Sequence, residues 1–482
     1  MRMILTPGRR QNRHTSRVSR SFRVAVLIAA VAVVASACTS TVTGVALPAG
    51  GVINHDQTGD VDPSFINNTD NGEIDKLAAA IVKDVEKFWR ESFPANFNGK
   101  PWEELKGGYY SVDSSDPKAP TPPCIDQASD IEGNAFYCPT ADSMAWDRAT
   151  LLPVLKDHFG EAAVMVVLAH EMGHAVQRRA GITPSAERAN PQKYPTILLE
   201  AQADCYAGTF VKWVTQNKAD RLRIANNALD PALEALVSFR DPVGTNQAAQ
   251  GAHGDAFDRV SAFQDGFDKG PKLCAGMTVD NREFTARSFQ DPKDQASGGN
   301  ETLDNTIDGV AKDMNTYLQT EVGKLGKQWR TPKVEKVGTA PQCSQGDQGP
   351  AAFCPDQSAI DIENKGQIAQ IHKEIGDWST GTILASRFGL AVLASLNKPV
   401  TGADAQRGAL CVAGAYSGEL LARKAGTADF ALSPGDLDEA VQVLLRYDYA
   451  ARDVQGKAPA TGFERVSDFR TGAVGGFTAC KL

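Results

Sequence analysis

The chain has 482 residues, 42% hydrophobic and 22% charged, enough for two or three domains of ordinary globular composition and without the signature of collagen, coiled coil or wholesale disorder. Its net charge of −8 hides an asymmetry: residues 1–37 hold seven arginines and no acid, and without them the rest carries −15. A body so acidic lacks the basic footprint that phosphate binding needs, which excludes nucleic acid as a partner, and it gains nothing from anionic lipid headgroups.

The first element in chain order is a signal peptide, residues 1–37. A basic stretch to Arg23 precedes the apolar run Val24–Ala37, too short to span a bilayer comfortably, and then Cys38. Two cleavages compete: Ala35-Ser36-Ala37 suits ordinary secretion, and Ala-Ser-Ala-Cys resembles a bacterial lipobox, in which Cys38 is lipidated and begins the mature chain. Nine cysteines leave eight once Cys38 is assigned to lipid, an even number that an exported chain can oxidise to four disulfides. The lipid on Cys38 is then the membrane contact, on the outer face of the cell membrane. Residues 38–70, rich in Thr, Gly, Asn and Asp, read as a flexible tether.

A first domain is expected over 71–278. Residues Ser143–Asp147, after a Cys-Pro pair, read as an edge strand that could pair with an extended substrate. Residues 161–179, EAAVMVVLAHEMGHAVQRR, read as a buried helix. His170 and His174 are four apart and share one face of it, the spacing two zinc ligands need; Glu171 stands beside them, placed to take a proton from a zinc-activated water. The alternative is a helix whose histidines merely pack or cap. The polar stretch near 178–195 is expected to rim a cleft, and Thr196–Val214 reads as a second helix. On it Glu200 and Asp204 are also four apart. Glu200 can supply a third ligand and Asp204 can hold the far ring nitrogen of a ligand histidine, unless both belong to a solvated face. His253, in GAHGDAFDR, can stabilise an oxyanion or be an ordinary loop histidine.

HEMGHAVQ followed by EAQADCYAG, with FYCP upstream and an HG…R…F…G…C run downstream, resembles the bacterial neutral zinc metallopeptidase family over about Cys124–Cys274. Family members carry a second histidine directly after the motif, where this chain has Ala175. The resemblance implies an α+β fold, a zincin-like peptidase domain with an HExxH helix and a small sheet. It implies zinc on His170, His174 and Glu200, Glu171 as general base, Asp204 behind a ligand, His253 at the family's HG position, and a peptide or protein as substrate. Cleavage within chains is expected over trimming of ends.

A polar linker is expected at 279–300, and then the chain repeats itself over 301–482. NAFYCPTADSMAWD resembles AAFCPDQSAIDIE, DCYAG resembles LCVAG, and FDRVSAFQDGFDKGPKLC resembles FERVSDFRTGAVGGFTAC. Cys205 to Cys274 and Cys411 to Cys480 are both 69 residues. A step of 32 leads from Cys138 to His170 and from Cys354 to Ser386. Such spacings point to a duplication. The repeat favours disulfides Cys124–Cys138, Cys205–Cys274, Cys343–Cys354 and Cys411–Cys480 over free thiols. It also acts as a control. His170, Glu171, His174, Glu200, Asp204 and His253 become Ser386, Arg387, Leu390, Gln406, Leu410 and Pro459, whereas Gly173, Cys205, Phe257 and Arg259 are kept as Gly389, Cys411, Phe463 and Arg465. The second domain is therefore expected to be a degenerate copy without catalytic zinc. The rival reading is a non-catalytic or weakly catalytic lipoprotein that grips a partner with two peptidase-like domains.

Overall fold

The computed structural model describes residues 61–225, 228–249, 251–423 and 430–482. The signal peptide, Cys38 and most of the expected tether lie outside them. The last ten residues of that tether are not free, however. Ile66–Asn67 forms a short strand, β1, whose Ile66 side chain is buried. An apolar residue followed by a parallel edge pairing to β2 (Gly108–Val112) explains why the chain settles here despite its polar neighbours.

Helix α1 (Glu73–Asn96) lines its buried face with Leu77, Ile81, Val85, Phe88 and Trp89. After β2 come β3 (Ala135–Cys138) and β4 (Ser143–Asp147), then α2 (Leu151–Phe159), α3 (Glu161–Ala180), α4 (Pro184–Ala189), α5 (Thr196–Thr215), α6 (Leu229–Ser238), α7 (Ala256–Lys269) and α8 (Pro271–Ala275). The sheet order is β1-β2-β4-β3, with β2 parallel and β3 antiparallel to β4. This corrects the expectation that Ser143–Asp147 is an edge. β4 is paired on both sides and all five of its residues are buried; the edges are β1 and β3. The uninterrupted burial follows from a position covered on both faces and both edges.

Residues 279–300 are not a free linker either. They include α9 (Pro292–Ser297), and the stretch before it is docked. Arg282 bonds Asp265 Oδ2 and Asp258 O (both 3.0 Å), and Thr285 N and Oγ1 bond Asp258 and Asp255 (both 2.8 Å). The buried Asp258 and half-buried Asp255 at the start of α7 take those donors, which pins the segment down.

The second half runs α10 (Leu303–Lys324), β5 (Lys333–Val337), β6 (Ala351–Cys354), β7 (Ala359–Glu363), α11 (Gly366–Glu374), α12 (Asp377–Ser395), α13 (Ala403–Ala422), α14 (Asp436–Arg446) and α15 (Gly462–Ala479). Its sheet has the order β5-β7-β6, again one parallel and one antiparallel pair, with Cys354 opposite Ala359 as Cys138 is opposite Ser143. The four disulfides join Cys124–Cys138, Cys205–Cys274, Cys343–Cys354 and Cys411–Cys480. Mixed helices and small sheets make an α+β fold.

One apolar core runs through both halves. The contact between them is reciprocal. Asp230, in the first turn of α6, accepts from Gly462 N (2.5 Å) and Phe463 N (2.8 Å) at the start of α15; Asp438, in the first turn of α14, accepts from Phe257 N (3.0 Å) at the start of α7. Each half thus caps a helix of the other. Arg470 adds contacts to Ser261 (2.5 Å) and Asp265 (2.6 Å). Among the described residues no helix is long and apolar enough to cross a membrane.

Candidate metal centre

The run Val164–Ala169 buries α3 against the core and leaves its next turn, His170 to His174, facing α5. The two helices cross in contact at Gly173. A Cβ there would stand 2.8 Å from Ala203 Cα, closer than packed atoms come, so only glycine permits the crossing. The corresponding crossing of α12 and α13 uses Gly389 against Ala409 Cα, at 2.7 Å by the same construction.

This crossing brings His170, His174 and Glu200 together, with a ligand atom of each within 4.8 Å of the others. His170 Nε2 is 3.2 Å from Glu200 Oε2, and His174 Nε2 is 3.6 Å from Glu200 Oε1. The rings stand nearly perpendicular, centroids 5.0 Å apart. Glu200 Oε2 is buried yet receives no properly directed hydrogen bond. Two ring nitrogens and an orphaned carboxylate oxygen around one point fit a zinc ion, which takes N and O donors and rewards this burial.

The outer nitrogens are tied down. His170 Nδ1 bonds Asp204 Oδ1 at 2.7 Å, as expected from the sequence. Asp204 is in turn gripped by Arg259 through Nε to Oδ2 (2.8 Å) and Nη2 to Oδ1 (2.9 Å), a two-pronged pair with both side chains essentially sealed from solvent. His174 Nδ1 lies 3.0 Å from Gln177 Oε1, whose Nε2 is anchored on Leu199 O (2.6 Å) and Gln202 (3.2 Å). Glu171 Oε2 accepts from the backbone N–H of Tyr137 at 3.1 Å, on the open-edge strand β3. His253 lies in a loop held by Asp241, which accepts from His253 N (2.7 Å) and Gly254 N (2.9 Å) and lies 3.3 Å from His253 Nδ1.

Arg259, Gln177 and the Tyr137 N–H are the parts sequence reasoning missed. In the sequence Arg259 stands out only as a retained residue. Gln177, three residues after His174 on the same face, carried a signal that the helix period could have exposed.

The electrostatics agree with a cation seat. Burial alone would lower the His170 imidazole, but the charge and hydrogen bond of Asp204, then Glu200, raise it to about 10. Burial would raise Glu200, but the charges of His174, His170 and His253 hold it well below the usual carboxylate range. Burial also opposes ionisation of Asp204, and Arg259 and His170 overcome it. In the bare protein a proton is therefore held between His170 and the carboxylates, where a metal ion would displace it. The charge of His253 also acts on Glu200. Burial raises Glu187, on α4, while the charge of His174 acts against it.

Compared with known proteins, the family described as "Putative neutral zinc metallopeptidase" matches residues 8–277, more than half of the chain. The chain belongs to this family. The family description suggests a zinc-dependent hydrolase, and His170, His174 and Glu200 form a group able to hold the metal. Among curated relatives, YpfJ of Escherichia coli (strain K12) is 29% identical over 220 residues, 42% of this chain and 71% of YpfJ. Rv2575 of Mycobacterium tuberculosis (strain ATCC 25618 / H37Rv) is 29% identical over 161 residues, 30% of this chain and 55% of Rv2575. Both relatives are described as uncharacterized. No solved structure matches the chain.

The positions aligned with the metal group are filled differently. Arg387 is sealed in the core and bonds Gln348 Oε1 (2.9 Å), Ala450 O (3.0 Å) and Ser386 Oγ. Burial, then the charge of Arg452, lowers its guanidinium to about 9. Gln406 bonds Lys457 O at 2.9 Å, and Leu390 and Leu410 are buried. A guanidinium where the first half has a carboxylate repels a cation.

Proposed function

We propose that the chain is a zinc peptidase of the cell envelope that cleaves within peptide or protein chains, using His170, His174 and Glu200 as metal ligands. The observation that carries the reading is the joint one: two ring nitrogens and a buried, unpartnered Glu200 oxygen converge, each with its supporting contact, beside Glu171. When bound there, zinc supplies a Lewis acid for the scissile carbonyl and lowers the pKa of a water to about 7. Glu171 takes the water's proton and gives it to the leaving amine. The Tyr137 N–H keeps that carboxylate turned toward β3, an open sheet edge along which an extended substrate can align. Asp204 keeps the far nitrogen of His170 protonated and its near one free. His253 stands to donate to the substrate oxygen as negative charge grows.

Further parts of the proposal concern organisation. A zincin-like first domain, about 71–278, is followed over 301–482 by a duplicate that has lost the site; the matched sheets, disulfide spacings and glycine crossings support this. The four disulfides support export, and the sequence around Cys38 supports a lipid anchor on the outer membrane face, with plain secretion as the other outcome.

The test uses the whole mature chain. Zinc content and cleavage of a mixed peptide library are measured for the unmodified protein, Glu171→Gln and His174→Ala. Glu171→Gln should keep its zinc and lose about 10²–10⁴-fold in kcat, while His174→Ala should lose the metal. A zinc-loaded chain that cuts no peptide would favour the partner-gripping lipoprotein instead, and full activity in Glu171→Gln would end the proposed mechanism.

A further inference from the structure

A second group of side chains meets at the starts of α12 and α14, in the half without the histidine site. Asp377 opens α12, and Asp436 and Glu439 lie in the first turn of α14. Each offers a carboxylate oxygen within 4.8 Å of the other two. Their exposures are 6%, 4% and 8%. One oxygen of each is fixed by a backbone N–H: Glu301 N to Asp377 Oδ2 (2.8 Å), Ser433 N to Asp436 Oδ2 (2.7 Å) and Trp378 N to Glu439 Oε2 (2.7 Å).

The helix starts account for that much, since first-turn N–H groups favour carboxylates. They do not account for the remaining oxygens. Asp377 Oδ1 is buried without any hydrogen-bond partner. Among the described residues no lysine or arginine pairs with the three acids. The two nearby guanidinium groups are engaged elsewhere, Arg240 with Asp438 (3.3 Å) and Arg287 with the carbonyls of Leu421 (3.1 Å) and Leu432. Three buried carboxylates with no cation in direct contact, and only the more distant charges of Arg287 and Arg240 to offset them, favour sharing protons or taking up a cation.

We propose that Asp377, Asp436 and Glu439 bind a hard divalent cation of calcium's size. An all-oxygen set without histidine or cysteine selects such an ion over zinc. Calcium accepts an irregular set of protein oxygens, whereas magnesium demands a near-ideal octahedron and gives up its waters reluctantly, so three buried carboxylates favour calcium. Gly376 makes room: a Cβ there would collide with Glu439 Oε1. The bound ion would brace the start of α14. Gly435, beside Asp436, packs under Val243 in the loop that carries Asp241 and His253. The inference does not depend on peptidase activity.

The experiment uses the full chain with its zinc in place, freed of weakly held ions by dialysis against metal-free buffer and titrated with calcium chloride. Unfolding temperature should rise by about 3 °C at a calcium concentration about 100 times the dissociation constant. Terbium, standing in for calcium, should give emission sensitised through tryptophan, with Trp378 next to the site. Asp436→Asn/Glu439→Gln should lose both responses while keeping its zinc; if it does not fold, Asp377→Asn replaces it. No shift up to about 10 mM calcium, beyond the range of weak extracellular sites, overturns the proposal. So does an equal response to magnesium, or a calcium response that survives the substitutions.

Discussion

Replacing Arg259 by Met leaves Asp204 as a carboxylate with no solvent and no counter-charge except His170. Arg259 and Asp204 are 1% and 0% exposed in their side chains and share two bonds of 2.8 and 2.9 Å. Breaking one side of such a buried pair costs about 3–5 kcal/mol, because the surviving charge cannot rehydrate. The second half supplies the reference. Arg465 occupies the aligned place, where Leu410 stands at the position matching Asp204, and it gives its hydrogen bonds to backbone carbonyls of Leu444 (2.7 Å), Leu445 (3.1 Å) and Pro459 (3.2 Å). Arg465→Met breaks no ion pair in direct contact, and Asp230, which loses the charge of Arg465, keeps the N–H groups of Gly462 and Phe463, so the change should cost less, about 1–3 kcal/mol. Urea unfolding of the metal-free proteins, followed by tryptophan fluorescence, compares the two, and Asp204→Asn/Arg259→Met should recover part of the loss. Equal costs for Arg259→Met and Arg465→Met, or no recovery in the double variant, would refute the buried-charge argument.

Gln177→Leu removes the support of His174 without touching a ligand, and should weaken zinc binding about 10–100-fold in competition with a chelator. The acids at α14 predict a pH dependence. Burial, with the charges of Asp255 and Asp377 respectively, pushes Asp438 to about 8 and Glu439 to about 9. The folded chain keeps these protons above the unfolded carboxyl range, near pH 4, so stability should fall as pH rises from about 4 to about 9. Unfolding temperature in EGTA should be lower at pH 9 than at pH 5, with calcium reducing the slope; a flat profile would show that these carboxyls ionise freely. Cys205→Ala/Cys274→Ala opens a bridge spanning 69 residues and should cost about 4 kcal/mol by loop entropy, more than opening the 14-residue Cys124–Cys138 loop. Thermal unfolding of the two double variants orders them.

The two helices of the metal centre were legible because their burial has a local period: the expected 161–179 and 196–214 are α3 and α5 to within a residue at each end. The four disulfides followed from comparing the chain with itself. What escaped was order in space. Nothing local in Ser143–Asp147 says that β2, 31 or more residues earlier, takes its second edge, and polar composition hid the anchoring of 279–300, where Arg282 and Thr285 answer buried acids on another helix. Arg259 was visible as a residue matched by Arg465 but its partner was not, because the position matching Asp204 holds Leu410. The acids of α12 and α14 gave no motif at all, since Asp377 lies 59 residues before Asp436.

The reciprocal capping between halves has a further consequence. A contact in which one unit's α6 meets the other's α15, while that other's α14 meets the first's α7, is self-complementary in the manner of a twofold dimer. On the duplication proposed above, this chain is such a dimer with its subunits fused. Fusion makes assembly independent of concentration. It also frees one copy from chemistry: the second half can lose every ligand and still be required as the surface on which the first is folded.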